Sequence, residues 1–156
     1  MKRIIKISSA LLAIIGVVMM FFTQVTVVWS TGNKEALGIK ALVGGGSKFA
    51  EGFYGVGAGL AGYILLGVGA LIILVTALLA VFREHDILSA VVTGLGLAAI
   101  IVGVILIFLI RKNFADQNGP FETVYVGWGA MVAGGLGSIS ALLGLIGMFL
   151  DLSGNN

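Results

Sequence analysis

A long stretch without charge constrains this chain most. From Gly52 to Phe82 the sequence reads GFYGVGAGLAGYILLGVGALIILVTALLAVF and contains no charged side chain. A helix rises about 1.5 Å per residue, so about 20 apolar residues cross the hydrocarbon core of a bilayer. This stretch is longer than that and can cross with a tilt. We therefore expect lipid to surround the folded chain.

The composition supports the same expectation and excludes several classes of function. Of the 156 residues, 59% are hydrophobic and 10% are charged, whereas soluble domains carry about 25% charged residues. The 9 Lys and Arg residues form no basic cluster, so we expect no nucleic acid partner. Without cysteine and with a single histidine, the chain lacks disulfides, catalytic thiols and the usual zinc ligands. We expect no cofactor and no metal.

Four apolar runs predict four membrane helices, at about residues 5–29, 54–82, 87–110 and 123–150. An outer loop at about residues 30–51, a polar turn at 83–86 and a polar loop at about 111–122 connect them. So short a turn suits an antiparallel helical hairpin. The predicted fold class is an all-α membrane protein. It is a four-transmembrane-helix bundle of two tandem helical hairpins, in a single domain over residues 1–156.

The ends of these helices carry further signals. The start, MKRIIK, is basic, and the apolar run after it is too long for a signal peptide and lacks a small-residue cleavage pattern. We expect a retained first helix. Aromatic residues suit the membrane surface, and those near the predicted helix ends are Trp29, Tyr54, Tyr125 and Trp128.

The outer loop contains a short apolar segment whose conformation the sequence leaves open. Residues 35–43 lie between a turn signal, Thr31-Gly32-Asn33, and three glycines at 44–46. Their pattern fits a strand and a helical face equally well, because periodicity cannot decide over so few residues. Either form could lie on the lipid surface or cover the helices.

A pattern of small residues occurs twice, 72 positions apart. The sequence G-x-G-A-x-x-A-G begins at Gly55 and again at Gly127. Each copy opens the second helix of a hairpin, so a duplication would be a parallel repeat. Chance similarity is the other explanation, since glycine is frequent in membrane helices.

These small residues predict how the helices associate. In lipid, close backbone approach between small residues supplies much of the attraction between helices. Small residues on more than one face of the fourth helix also favour self-association or contact with other membrane subunits. The predicted packing residues are Gly55, Gly57, Gly59, Gly62, Gly129, Ala133, Gly134, Gly137 and Ala141.

Four spans place both termini on one side of the membrane. Inner segments would hold four Lys or Arg residues and outer loops five, so the charge balance is a weak guide. We place the termini in the cytoplasm because the basic start usually dominates and the first loop is the largest exposed piece. The basic start is compatible with a bacterial cytoplasmic membrane protein.

Two families share features with the chain. The glycine-rich tandem hairpins resemble the proteolipid subunits of rotary ATPases, which need a carboxylate at mid-membrane. The predicted helix centres near Val68, Gly96 and Ser138 have none, so we reject an ion-carrying rotor. Four spans and Trp29 resemble claudin-like proteins, but the G-L-W motif and both cysteines of that family are absent. We assign neither family.

The sequence offers no set of residues for catalysis or ion transport. Transporters keep ionisable residues inside the membrane, and we expect none inside these spans. Lys6, Arg83, Arg111 and Lys112 are expected to extend to lipid headgroups, and His85 is expected to lie in a solvated turn. The predicted function is that of a non-enzymatic structural or accessory membrane subunit with an exposed first loop. The alternative is a small channel or transport component that conducts through an oligomer.

Overall fold

Four helices of this protein are long and apolar enough to cross a membrane. A computed structural model describes residues 2–28, 34–38, 40–43, 57–79, 84–118 and 123–153. The candidate spans are Arg3–Phe21, Gly57–Leu78, Asp86–Phe108 and Trp128–Ser153. The prediction of a mostly helical chain with four helices of membrane length is confirmed.

The described elements alternate between long helices and short connecting structure. The first half contains α1 (Lys2–Val18), a 3₁₀ turn (Met19–Phe21), β1 (Val25–Val28), β2 (Lys34–Leu37), α2 (Lys40–Val43) and α3 (Gly57–Leu78). The second half contains α4 (Asp86–Phe108), α5 (Ile110–Asn118), β3 (Thr123–Val126) and α6 (Trp128–Ser153).

The four long helices contact one another in a closed ring. Helix α1 contacts α3, α3 contacts α4, α4 contacts α6, and α6 returns to α1. Large apolar side chains such as Ile64, Leu95 and Leu142 are exposed on the outer faces. An aqueous surface rarely carries so much contiguous apolar area, so this exterior suits lipid.

The prediction that the first helix runs to residue 29 is wrong. Helix α1 ends at Val18, the 3₁₀ turn ends at Phe21, and Val25–Val28 forms a strand. The span Arg3–Phe21 has 19 residues, which is already about the length that a bilayer requires. The β-branched residues after it favour a strand.

The other predicted boundaries shift for similar reasons. The third helix ends at Phe108, and α5 occupies much of the segment predicted as a polar loop. Ile110 and Phe114 are buried one turn apart, so this segment has an apolar face to pack. The fourth helix begins at Trp128 rather than 123, because Thr123–Val126 forms a strand, and it continues to Ser153.

A three-stranded sheet corrects the all-α prediction. The strand order is β2-β1-β3, and both pairs are antiparallel. Thr26 of the central strand pairs with Ala36 on one side and Tyr125 on the other. The sheet therefore joins the segment after α1 to parts of both loops. The apolar segment 35–43, which the sequence left open, forms both a strand and a short helix.

The sheet and the two short helices form one end of the molecule, which we call the sheet end. Its buried apolar residues continue the core between the long helices and include Val25, Leu37, Leu42, Ile110 and Phe114. The opposite end, which we call the terminal end, holds the start of α1, the start of α4 and the end of α6. Contacts between Lys6, Ser89 and Asp151 bring these three together.

Candidate functional site

Helices α3 and α4 approach each other through glycine. A Cβ placed on Gly62 would lie 2.8 Å from the carbonyl oxygen of Gly103, and one on Gly103 would lie 2.6 Å from the carbonyl oxygen of Gly62. Gly69 and Gly96 form a second reciprocal pair, with distances of 2.6 and 3.0 Å. Real Cβ atoms essentially never lie closer than 3.0 Å to another heavy atom, so Gly62 and Gly69 on α3 and Gly103 on α4 have no room for a side chain, and Gly96 has little.

Of these four glycines, only Gly62 is among the predicted packing residues. Gly69, Gly96 and Gly103 were not predicted to pack, although the sequence contains a signal for them. The two glycines on each helix are seven positions apart, which places them two turns apart on nearly the same face. Two such pairs on an antiparallel hairpin can meet directly, and a search for this spacing would have found them.

The other predicted packing residues have different surroundings. Gly59 faces Ile110 and Leu42, while Gly137 faces Val104 and Leu66. Gly134 faces the ring of Phe108, and Gly129 faces the backbone of Thr23 and Phe22. Ala133 is fully buried, and Ala141 packs partly buried against the core. These positions pack inside the protein.

Gly57 does not fit the packing prediction. It is exposed, and a Cβ there would meet nothing within 4 Å among the described residues. Helix α3 begins at this residue, so it precedes the part of the helix that packs closely. Gly55 lies outside the described residues.

The two copies of the small-residue pattern do not make equivalent contacts. Gly62 and Gly134 are matching positions, yet both face α4, one at Gly103 and the other at Phe108. A parallel duplication of the α1–α3 hairpin would place Gly134 against α1. Internal duplication stays a prediction, and the packing of the matched glycines does not depend on it.

A buried ion pair connects three helices at the terminal end. Lys6 Nζ of α1 donates to Asp151 Oδ2 of α6 at 2.5 Å and to Ser89 Oγ of α4 at 2.8 Å. The Ser89 hydroxyl lies 2.8 Å from the same carboxylate oxygen. Lys6 is 2% exposed and Asp151 is 0% exposed. We call these three residues the Lys6 cluster.

The Lys6 cluster corrects two predictions. Lys6 is buried in the ion pair and does not extend to the headgroups, whereas Arg111 and Lys112 are exposed. Arg83 lies outside the described residues. Asp151 belongs to α6, although the fourth helix was predicted to end at about residue 150, so two ionisable side chains are buried inside the candidate spans, where none was expected. Room for Lys6 comes from Gly147, where a Cβ would lie 2.9 Å from Lys6 Cγ.

A signal for Lys6 and Asp151 was present in the sequence. On α1, Lys6 lies on the same face as Ser9, Ala10, Ala13 and Gly16, all of which are buried. On α6, Asp151 continues a series of small residues spaced by three or four positions, namely Gly137, Ser140, Gly144 and Gly147. Each charge thus extends a face of small residues, which is the face that packs.

Hydroxyl groups form two further contacts between helices. The Ser9 hydroxyl donates to the Ser140 carbonyl oxygen at 2.7 Å, and the Ser140 hydroxyl donates to the Ser9 carbonyl oxygen at 2.7 Å. Thr93 of α4 donates to Thr76 of α3 at 3.2 Å. These bonds satisfy polar groups that lipid could not.

A second buried polar centre lies where the helices meet the sheet. The Tyr63 hydroxyl donates to Gln24 Oε1 at 2.6 Å. Gln24 Nε2 donates to the carbonyl oxygens of Met19 and Phe22 at 2.7 and 3.0 Å. Its backbone N–H donates to Leu37 at 2.7 Å, and its carbonyl accepts from Gly127 at 2.8 Å. This one residue therefore connects α3, the 3₁₀ turn, the strand β2 and the start of α6.

The structure describes two of the four predicted aromatic anchors. Trp128 is 52% exposed and its ring centroid lies 4.9 Å from that of Phe22. Tyr125 is also exposed. Both lie at the sheet end, where the candidate spans stop, which suits the membrane surface. Trp29 and Tyr54 lie outside the described residues.

Two grooves open on the surface of the long helices. One, of about 770 Å³, lies at the terminal end and is lined in part by Glu84, His85, Asp86 and Asp151. The other, of about 390 Å³, is apolar and lies between α4 and α6. Within the part of the chain that the structure describes, no group of three or more His, Cys, Asp or Glu side chains could hold a metal ion.

Comparison with known proteins gives no relative. No protein-family model, no curated protein and no solved structure matches this chain. The partial resemblances to rotary ATPase proteolipids and to claudin-like proteins therefore gain no support from these comparisons. Its function has to be argued from the buried polar groups and the sheet.

Proposed function

We propose that this chain is an integral membrane protein that acts by binding, as a structural or accessory subunit, and not by catalysis. The observation that carries the proposal is the sheet β2-β1-β3. It joins the segment after α1 to parts of both loops and is hydrogen-bonded to the helix ends through Gln24. Loops held in this way form a defined surface, which recognition of a partner requires.

The interior of the helices supports the same proposal. The polar side chains buried there pair with one another, as Lys6 does with Asp151 and Tyr63 with Gln24. Glycine pairs bring α3 and α4 into backbone contact. The Ser89 hydroxyl lies beside Lys6 and Asp151, but at 1% exposure it is enclosed in their ion pair and not open to a substrate. These polar side chains and glycines are therefore occupied in contacts between the helices. The sheet end is the surface that we propose for recognition.

Self-association forms part of the proposal. On α6, Gly135 and the exposed Ser138 share a face one turn apart, and a Cβ on Gly135 would meet nothing within 4 Å. Small residues on an open helix face allow a second helix to approach closely. The buried face of the same helix already packs inside the protein. A second copy of the chain is the partner that we propose for the open face.

Chemical crosslinking in native membranes and native mass spectrometry of the purified chain test self-association. We expect a defined oligomer, and we expect Gly135→Leu to reduce it because the larger side chain keeps the helices apart. Gly57→Leu is the matched control, since Gly57 is also open but lies on α3. A monomer in both native membranes and mild detergent would overturn this part of the proposal.

We further propose that both termini face the cytoplasm of a bacterial cell. The Lys6 cluster holds the start of α1 and the end of α6 together, which is compatible with termini on one side. Because the chain has no cysteine, Ser153→Cys gives a single label site. Protection from a membrane-impermeant maleimide in intact cells, with labelling after lysis, is the expected result, and labelling of intact cells would contradict it.

A transport role is the second candidate, and one observation favours it. Lys6 and Asp151 are ionisable side chains buried inside candidate spans, and such residues often mark ion pathways. Flux through liposomes that contain the purified protein, lost in Asp151→Asn, would support transport. A stable oligomer or partner complex without flux would support the structural role.

A further inference from the structure

We propose that the Lys6 cluster is a lock on the first helix. With Asp151 charged, Lys6 stays between α4 and α6 and holds α1 in place. When Asp151 loses its charge, Lys6 moves out to the lipid headgroups and α1 separates from α6 at the terminal end. This device is independent of the proposed binding role, because it concerns the position of α1 within the protein.

The geometry of the Lys6 cluster links three helices. The ammonium group of Lys6 lies within hydrogen-bond distance of two other helices, at 2.5 Å from Asp151 and 2.8 Å from Ser89. Ser89 is bonded to Asp151 in turn. The three groups form a closed triangle, so the charge on Asp151 acts on α1 and α4 together.

The buried charges of Lys6 and Asp151 are both energetically unfavourable on their own. Lys6 lies near the N-terminus of α1 and Asp151 near the C-terminus of α6, where the helix dipoles disfavour a cation and an anion respectively. Burial adds a desolvation penalty to each charge. Neither charge stabilises its own helix, so each depends on the other. Such a pair favours one arrangement of helices over another more than it adds stability.

Lys6 also has a second position within reach, at the membrane surface. The residue lies in the second turn of α1, close to the start of the candidate span at Arg3. A lysine side chain so near a helix end can extend to the membrane surface. The released state therefore keeps the charge solvated, and α1 has to rotate or tilt to reach it.

A groove opens beside Asp151. This residue lines the groove of about 770 Å³ at the terminal end, together with Glu84, His85 and Asp86. The groove opens to the exterior of the protein, whereas Asp151 itself is 0% exposed. Among the side chains that the structure describes, the charged or titratable groups at this end are Lys6 and, one turn earlier, Arg3 on α1, and the three groove residues beside the start of α4. Described α3 contributes only Tyr63, at the opposite end.

Engineered disulfides test the lock in the full-length chain in membranes. The natural chain has no cysteine, so every crosslink comes from the introduced pair. Ser9→Cys with Ser140→Cys reports contact between α1 and α6, where the hydroxyl oxygens lie 3.1 Å apart. Thr76→Cys with Thr93→Cys reports contact between α3 and α4, where they lie 3.2 Å apart, and it is the matched control.

Asp151→Asn imitates the carboxyl without its charge. We expect it to slow disulfide formation between α1 and α6 by about tenfold or more, since removing one member of a buried pair leaves the other charge uncompensated. The α3–α4 pair should be unaffected. Adding Lys6→Met to Asp151→Asn should restore the α1–α6 rate, because no charge then needs to leave.

The other outcomes overturn the proposal. An unchanged α1–α6 rate in Asp151→Asn would mean that the charge does not hold α1. An equal loss at both pairs would mean general unfolding instead of release of one helix. Failure of Lys6→Met to restore the rate would show that the shape of Asp151, and not its charge, holds α1.

Discussion

Gly62 and Gly103 contact each other backbone to backbone across α3 and α4. A Cβ on either residue would lie within 2.8 Å of the carbonyl oxygen of the other. Because the obstructing atom is backbone, a side chain cannot rotate aside to make room. Gly69 and Gly96 form a similar pair, at 2.6 and 3.0 Å. This hairpin is therefore sensitive to the addition of a single methyl group.

Gly103→Ala should destabilise the protein. The added methyl group forces α3 and α4 apart, and overpacking of this kind costs about 1–3 kcal/mol. Thermal unfolding in mild detergent, followed by circular dichroism, measures the change. Gly135→Ala is the matched control, since its Cβ would meet nothing within 4 Å, and Ala gains about 1 kcal/mol of helix propensity over Gly. Equal melting temperatures for the two variants would contradict the observed packing.

Tyr63→Phe should destabilise the junction between the helices and the sheet. The variant removes the hydroxyl that donates to Gln24 Oε1 at 2.6 Å and leaves a buried acceptor without its donor, at a cost of about 1–3 kcal/mol. Unfolding by denaturant in detergent gives the difference in free energy. Tyr125→Phe serves for comparison because Tyr125 is exposed. A comparable loss in both variants would argue against a special role for the Gln24 bond.

The sheet register predicts which engineered cysteines crosslink. Thr26 and Ala36 are directly paired, and such residues have Cβ atoms about 4.5–5.5 Å apart. Thr26→Cys with Ala36→Cys should therefore form a disulfide under mild oxidation, visible by gel mobility. Val25→Cys with Ala36→Cys should not, because neighbouring residues of a strand point to opposite faces. If the first helix continued through residue 29, neither pair would crosslink.

Ser9 and Ser140 should show energetic coupling. Each hydroxyl donates to the other residue's carbonyl oxygen at 2.7 Å, so either substitution disturbs a shared arrangement. We expect Ser9→Ala and Ser140→Ala each to cost about 0.5–1.5 kcal/mol, the net range for an intramolecular hydrogen bond. A double-mutant cycle measures the coupling. Strictly additive losses would mean that the two serines act independently.

The boundaries of the helices show where prediction from sequence stops. The uncharged run from Ile7 continues through Trp29, yet the helix ends by Phe21, because Gln24 and β1 bond to residues far along the chain. Likewise, the polar segment after Phe108 is helical, because Ile110 and Phe114 find a buried surface at the sheet end. Hydropathy indicates which segments are stable in lipid, but it carries no information about contacts with residues distant in the sequence.

The candidate site divides in a similar way. Gly62, Gly134 and Gly137 could be predicted, because small residues repeated along a helix indicate close packing whatever the partner is. The Lys6 cluster could be predicted only in part, because each charge extends a face of small residues but the sequence does not show which residues it pairs with. Its members are separated by 83 and 145 positions from Lys6, and each charge near a helix end looks, in isolation, like a residue that extends to the membrane surface.

Hydropathy and length by themselves determined the four long apolar helices, since burying a helix backbone in lipid depends on the local run of side chains. Only the tertiary structure decided which helices meet, which positions require glycine, where the sheet forms between the loops and that Lys6 lies inside. Each of these depends on atoms brought together from distant parts of the chain, and their energies arise only once those parts are in contact.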